Sequence, residues 1–362
     1  MIPVSQPFLP PKDEYDRLLS KLWESKWLTN NGVFVQQFEK ELEEFLRVGS
    51  LHFVSNGTIA LQLAIKALGV KNEIITTPFS FVATTTSILW EQCTPVFVDI
   101  DPQTLCMDAN QIEAAITEKT EAILATHVYG IPCDVEKIED IAKRHHLKVI
   151  YDAAHAFGVQ YKGRSLLSYG DISAISFHAT KLYHTIEGGA VVNNCGQDLD
   201  DQIAQLRSFG FVGDHYYSAG INGKNSEFHA AMGLCNLKYI AENIEHRKKL
   251  TEEYNDLLDG KTGKVLIPEN TIYNYSYYPV IFSTEDELLR VQLKLKQNGI
   301  ETRRYFYPSL NRLPYLLKHD TCPISEDVSK RILCLPLFSD LKIEDVIRIS
   351  TLITEKGRVS IL

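Results

Sequence analysis

Long apolar runs are missing from this 362-residue sequence, and no stretch approaches the roughly 20 apolar residues that a membrane-crossing helix needs. The opening Met1-Ile2-Pro3-Val4-Ser5 has neither the basic start nor the apolar core of a secretion signal. The expected location is the cytoplasm, with no membrane partner. Blocks of like charge are missing too. The net charge of −9 is spread along the chain, which argues against nucleic acid or an anionic lipid surface as a partner. Seven cysteines occur, Cys93, Cys106, Cys133, Cys195, Cys235, Cys322 and Cys334, without a Cys-x-x-Cys pair among them. They are expected to be reduced thiols in a reducing compartment. Eleven histidines include the neighbours His145 and His146 but no His-Glu-x-x-His, so no metal is expected. Neither Gly-x-Gly-x-x-Gly nor Gly-x-x-x-x-Gly-Lys-Ser/Thr is present, which removes the familiar nucleotide-phosphate loops.

What is present is enough apolar side chain, 44% of residues against 23% charged, to close one large core with a smaller companion. From about residue 50 to 195, short apolar runs alternate with helical patterns. The strand candidates are His52 to Ser55, Glu73 to Thr76, Pro95 to Asp99, Ala122 to His127, Leu147 to Asp152 and Ile172 to Phe177; an apolar helix spans Ile59 to Leu68. This alternation predicts an α/β domain whose mainly parallel sheet is covered on both faces, with ligands bound at the carboxyl ends of its strands. A long helical pattern covers 226 to 258, followed by a strand at Tyr277 to Phe282 and helices at Glu285 to Gln297 and Ile343 to Glu355. The expected division is an N-terminal arm (1–50), a large domain (51–240), and a connecting helix with a small C-terminal α+β domain (241–362).

Three short segments could carry chemistry. Ser55-Asn56-Gly57-Thr58 lies between a strand and an apolar helix, where backbone N–H groups and a hydroxyl meet the positive end of the helix dipole. That arrangement seats a phosphate, although an ordinary N-cap reads the same way. Asp152 ends an apolar strand, where it could reach a ligand over the sheet or simply close a turn. Lys181 follows a strand in Ser176-Phe177-His178-Ala179-Thr180-Lys181, shortly before Glu187-Gly188-Gly189-Ala190. A lone lysine is usually solvated, but one in a dry site loses proton affinity and becomes a nucleophile and base. The phosphate seat, the acid and the lysine, all at strand ends, suggest more together than any one alone.

These segments resemble the signature blocks of the DegT/DnrJ/EryC1/StrS sugar aminotransferases. The similarity rests on Ser55 to Leu61, Asp152 to Ala156, Ser176 to Lys181 and Glu187-Gly188-Gly189, and extends from Trp27-Leu28-Thr29-Asn30 to Arg303-Arg304-Tyr305-Phe306-Tyr307-Pro308. The resemblance implies an aspartate-aminotransferase-like, fold type I enzyme with a mostly parallel seven-stranded sheet and pyridoxal 5'-phosphate (PLP) as cofactor. Lys181 would hold PLP as a Schiff base and carry protons, and Asp152 would face the pyridine nitrogen. Gly57, Thr58 and Ser176 would hold the phosphate. Phe81 would stack on the ring, unless it is core like Phe79, and His155, where many members have Gln, would face the ring or its phenolic oxygen. Asn222 would reach the phosphate of a neighbouring subunit, making the working unit a homodimer with shared active sites. In that loop Lys224 and Asn225 depart from the commoner Arg and Met, which leaves contacts from those two positions open.

By the same resemblance the substrates are L-glutamate and a nucleotide-linked 4-keto-6-deoxyhexose, with Arg303, Arg304 and Tyr307 as candidates for the diphosphate and sugar. The Ser-Phe-His-Ala-Thr-Lys block and the Ile-Asn-Gly-Lys loop look most like the branch that makes dTDP-4-amino-4,6-dideoxyglucose, a precursor type for O-antigen and lipopolysaccharide. Amination at carbon 3 and use of a UDP- or GDP-sugar remain open, as does a non-catalytic regulatory or binding protein of the same fold. A PLP sugar dehydratase would have His in place of Lys181.

Overall fold

The computed structural model of the protein describes residues 1–355. Seven strands form the main sheet: β1 (Leu51–Val54), β2 (Glu73–Thr76), β3 (Thr94–Phe97), β4 (Thr120–Thr126), β5 (Lys148–Asp152), β6 (Ile172–Ser176) and β7 (Gly189–Asn193), in the order β1-β7-β6-β5-β4-β2-β3. All run in one direction except β7, which pairs antiparallel with both β1 and β6. The expected α/β architecture with a mostly parallel, seven-stranded sheet is therefore what the chain adopts. Its strands are apolar throughout because helices cover both faces, and Ile74, Ile75, Ile123, Leu124, Ile150 and Val191 are all fully buried.

One edge of this sheet matters for function. The ends of β1, β2, β4, β5 and β6 and the start of β7 fall along it, so Ser55, Ser80, Thr126, Asp152, Ser176 and Gly189 converge although they are far apart in sequence. Four helices precede or lie among the early strands: α1 (Lys12–Ser25), α2 (Val33–Leu46), α3 (Gly57–Ala67) and α4 (Val82–Trp90). The α3 helix starts where β1 ends because the Asn56 side chain accepts the Ile59 N–H at 2.9 Å, a standard N-cap. The first residues of the chain, expected as an arm, fold into α1 and α2. The apolar stripe of α2, Phe34, Phe38, Leu42 and Leu46, is buried in the main core, and Phe38 packs against Phe53, Phe177 and Tyr183. The buried Glu227 carboxylate accepts the Phe34 and Val35 N–H groups at 2.7 and 3.2 Å, capping α2 from a distant part of the chain.

The helical pattern expected to run unbroken from 226 to 258 is two helices, Glu227–Leu237 and Ile240–Leu257. The break arises because the Tyr239 N–H bonds to the Asn236 carbonyl, a tighter i−3 contact than the α-helical one. The Asn236 side chain meanwhile donates to the His184 carbonyl at 2.9 Å. Beyond it a second core forms around the antiparallel pair Tyr278–Ile281 and Ile332–Leu335. Helices Glu285–Gln297 and Ile343–Thr354 close over this pair with Leu250, Tyr254, Leu288, Leu295, Val346 and Ile349. No helix of the described residues is long and apolar enough to cross a membrane, and the seven cysteines are free.

Candidate active site

A cavity of about 500 Å³ opens at the strand-end edge of the main sheet. Its wall contains Gly57, Thr58, Phe81, Asp152, His155, Ser176, Lys181 and Arg303, which sequence reasoning had singled out from five separate segments. His178, Glu187, Tyr305 and Phe306 also line it, and none of these had been given a role. Among the described residues no group of three or more His, Cys, Asp or Glu side chains is placed to hold a metal ion.

Asp152 is buried, with Thr84 Oγ1 donating to its Oδ2 at 2.6 Å and the Ala154 N–H to its Oδ1 at 3.1 Å. Burial pushes its carboxyl above the usual range, while the Thr84 hydroxyl, the Ala154 N–H and the charge of Lys181 pull it back. Each carboxylate oxygen keeps a free lone pair for a ligand. Lys181 is pushed down to about 8: burial disfavours the ammonium, Asp152 opposes that effect, and Arg303 adds to it. Only a neutral amine attacks a carbonyl. Capture of PLP by the cofactor-free protein should therefore quicken about tenfold per pH unit below that value and level off above it. Stopped-flow absorbance would follow this, and a flat profile would take Lys181 out of the nucleophile's place.

His155 is buried, and its Nδ1 accepts the Tyr129 N–H at 3.1 Å. Burial first, and Lys181 second, hold its pKa well below the ordinary histidine value. The neutral ring must then carry its proton on Nε2, which makes that atom a donor. Phe306 lies nearly parallel to this ring, with centroids 5.8 Å apart. Phe81 is 47% exposed whereas Phe79 is fully buried, so Phe79 has the core-packing role and Phe81 stands free at the cavity.

At the start of α3 the first N–H groups have no partner within the helix, and Ser176 lies against them. A β-carbon on Gly57 would come within 2.9 Å of Ser176 Cβ, and one on Gly189 within 2.5 Å of the Asn56 backbone. Glycine at both positions is what lets β1, β6 and β7 approach closely enough to shape this seat. The donor set fits PLP: N–H groups and a hydroxyl for a phosphate, an aromatic side chain for a flat ring, a buried carboxylate for a ring nitrogen, and a lysine amine of lowered proton affinity for an aldehyde.

The remaining candidates lie elsewhere. Arg304 is outside the cavity wall. Its guanidinium pairs with Glu285 at 2.7 Å, donates to the Lys330 carbonyl and sits 3.6 Å from the centroid of the Tyr307 ring. That engagement leaves it little freedom to meet a diphosphate, and Tyr307, half exposed, shares its position outside the wall. Arg303 faces the cavity with its guanidinium 4.6 Å from the Tyr305 ring centroid. Asn222 is exposed and bridges to Ser208, also off the cavity wall. Of the two departing loop positions, Asn225 is buried and donates to the Val54 and Glu187 carbonyls, and Lys224 lies over Phe209.

Comparison with known proteins points the same way. The chain is 43% identical to the dTDP-4-amino-4,6-dideoxy-D-glucose transaminase of Escherichia coli over 98% of both chains. It is 43% identical to the Shigella dysenteriae protein of that name, over 93% of this chain and 94% of that one. The solved structure of DesI, in the presence of its TDP-sugar product, matches with a TM-score of 0.92 at 33% identity, covering 97% of this chain and 91% of that chain. The family match covers residues 11–354, from the first helix to the last, and the chain thus belongs to the DegT/DnrJ/EryC1/StrS aminotransferase family.

Proposed function

We propose that this enzyme uses PLP to move an amino group from L-glutamate to carbon 4 of a dTDP-4-keto-6-deoxyhexose, giving dTDP-4-amino-4,6-dideoxyglucose. The observation that carries the cofactor assignment is the pairing of buried Asp152 with Lys181, whose proton affinity its desolvated setting lowers, on one cavity beside the α3 N-terminus. The sugar assignment is supported by the Escherichia coli relative. A cytoplasmic homodimer fits the reading, with the exposed Asn222 of each chain serving the other's phosphate seat.

PLP supplies, when bound, an aldehyde carbon that carries the amino group and a ring that accepts the electron pair of a breaking C–H bond. The Gly57 and Thr58 N–H groups and the Ser176 hydroxyl would hold its phosphate, and Phe81 and His155 would flank its ring. Asp152, as an anion, would hold a proton on the ring nitrogen. Lys181 Nζ would attach the aldehyde and, as a neutral amine, would take a proton from one substrate carbon and return one to another. Over the whole reaction glutamate is oxidised to 2-oxoglutarate at its α-carbon, and the sugar is reduced from ketone to amine at C4. Arg303, facing the cavity, would meet an anionic portion of either substrate. The amino sugar would serve bacterial surface polysaccharide, such as O-antigen.

The test is the visible absorption of PLP-loaded protein on adding dTDP-4-amino-4,6-dideoxyglucose. Conversion to the pyridoxamine form, reversed by 2-oxoglutarate, is the expected result. An unchanged spectrum would move the search to 3-amino, UDP- or GDP-linked sugars, and failure to retain PLP at all would favour a binding protein of the same fold.

A further inference from the structure

Beneath the cavity, three hydroxyl groups outside its wall run in a line to Asp152. Thr126 Oγ1 lies 3.1 Å from Ser80 Oγ, which lies 2.6 Å from Thr84 Oγ1, which lies 2.6 Å from Asp152 Oδ2. All three residues are buried, Thr126 and Ser80 at 2% exposure and Thr84 at none. They come from the end of β4, the turn after β2, and α4, so the line exists only in the assembled sheet edge.

A hydroxyl has a single proton to donate. If Thr84 gives its proton to Asp152, Ser80 must give its own to Thr84, and Thr126 must give its own to Ser80. In the opposite polarity a protonated Asp152 would donate to Thr84, and the last proton, on Thr126, would need an acceptor. Among the described residues Thr126 Oγ1 has no hydrogen-bond partner other than Ser80, and its side chain is shut away from water. The reversed line therefore ends on a buried, unsatisfied donor, which is costly.

We propose that Thr126, Ser80 and Thr84 form a one-way hydroxyl relay that holds Asp152 as an oriented, ionised acceptor, making them positioning residues for the cofactor ring. The idea rests on the functional reading above for its consequence but not for its geometry. The relay donates to Asp152 Oδ2 and so opposes the upward push of burial on that carboxyl, favouring its ionised form. The other ionisable side chains on the wall are Lys181, Arg303, Glu187, His155, His178 and Tyr305, and none of these is hydrogen-bonded to the three hydroxyls.

The test compares Thr84→Val, which keeps shape and removes the proton, with Thr84→Ser, which keeps the hydroxyl. In cofactor-free protein, infrared difference spectra against Asp152→Asn isolate one carboxyl group. Thr84→Val should raise its protonated fraction at a given pH about tenfold, Thr84→Ser should restore it, and Thr126→Val should move it the same way by less. In loaded enzyme Thr84→Val should lower kcat about tenfold with KM for the sugar unchanged, and Thr84→Ser should recover it. Wild-type titration in Thr84→Val, or equal loss in Thr84→Ser, would overturn the relay. Should Thr84→Val not fold, the Thr126→Val titration decides by the same criterion. Wild-type protein that shows the infrared pattern but transfers no amine would sink the functional reading and leave the relay standing.

Discussion

Lys181→Ala should purify as a folded protein whose PLP can be removed by dialysis and is not fixed to the chain by borohydride, with amine transfer down by at least about 10³-fold. Both effects have one cause. Lys181 is the lysine on the cavity wall, and in the proposed mechanism its amine is both the point of attachment and the proton carrier. Phosphate and ring contacts from Gly57, Thr58, Ser176 and Phe81 would survive, so cofactor affinity should fall without vanishing. The informative measurement is peptide mapping after borohydride. A cofactor-bearing peptide without residue 181 would assign the chemistry to another lysine, and Lys224, which lies over Phe209, would be the next to test.

For Asp152→Asn the expectation is a loss of about 10²–10⁴-fold in kcat with KM for the sugar changed less than about threefold. In the proposed mechanism the carboxylate would act where negative charge spreads into the ring, a charge that develops toward the transition state. An amide at this position cannot hold a proton on the ring nitrogen. It also presents either an N–H₂ to the Thr84 hydroxyl, reversing the hydroxyl line toward Thr126, or an N–H₂ against the Ala154 N–H. Steady-state kinetics with both substrates separate the effects: equal losses in kcat and kcat/KM fit a carboxylate that acts in the transition state, whereas a loss confined to KM would make Asp152 a binding residue only.

Much of the large domain could be read from the chain because buried parallel strands are unbroken apolar runs, as at Val149-Ile150-Tyr151, and each ends at a chemically distinct residue. Lys181, Asp152 and the Gly57 turn were legible for that reason. The strand β7 was not, since it opens on Gly189 directly after Gly188 and inserts antiparallel, a placement that helix–strand alternation does not encode. Thr84 was invisible in the run Thr84-Thr85-Thr86-Ser87, where four similar side chains differ only in the direction each leaves α4; one finds Asp152, while Thr85 and Ser87 are buried without a partner among the described residues. Arg303 and Arg304 looked equivalent as neighbours. In the segment bridged to Cys334, successive side chains leave on opposite sides, so one faces the cavity and the other Glu285.

The position of β1 also shapes how the protein emerges from the ribosome. Among the described residues its strand partner is β7 alone, and the apolar stripe of α2 rests on helix Glu227–Leu237. At typical translation speeds of about 5–20 residues per second, the roughly 140 residues separating the two strands take on the order of ten seconds to appear. Throughout that interval the nascent chain carries an unpaired apolar strand and an uncovered amphipathic helix, while β2 to β5 can already assemble behind them. The order of synthesis thus leaves the Gly57 turn unsupported until Gly189–Asn193 has emerged, and the growing polypeptide is most exposed to misassembly before that strand inserts.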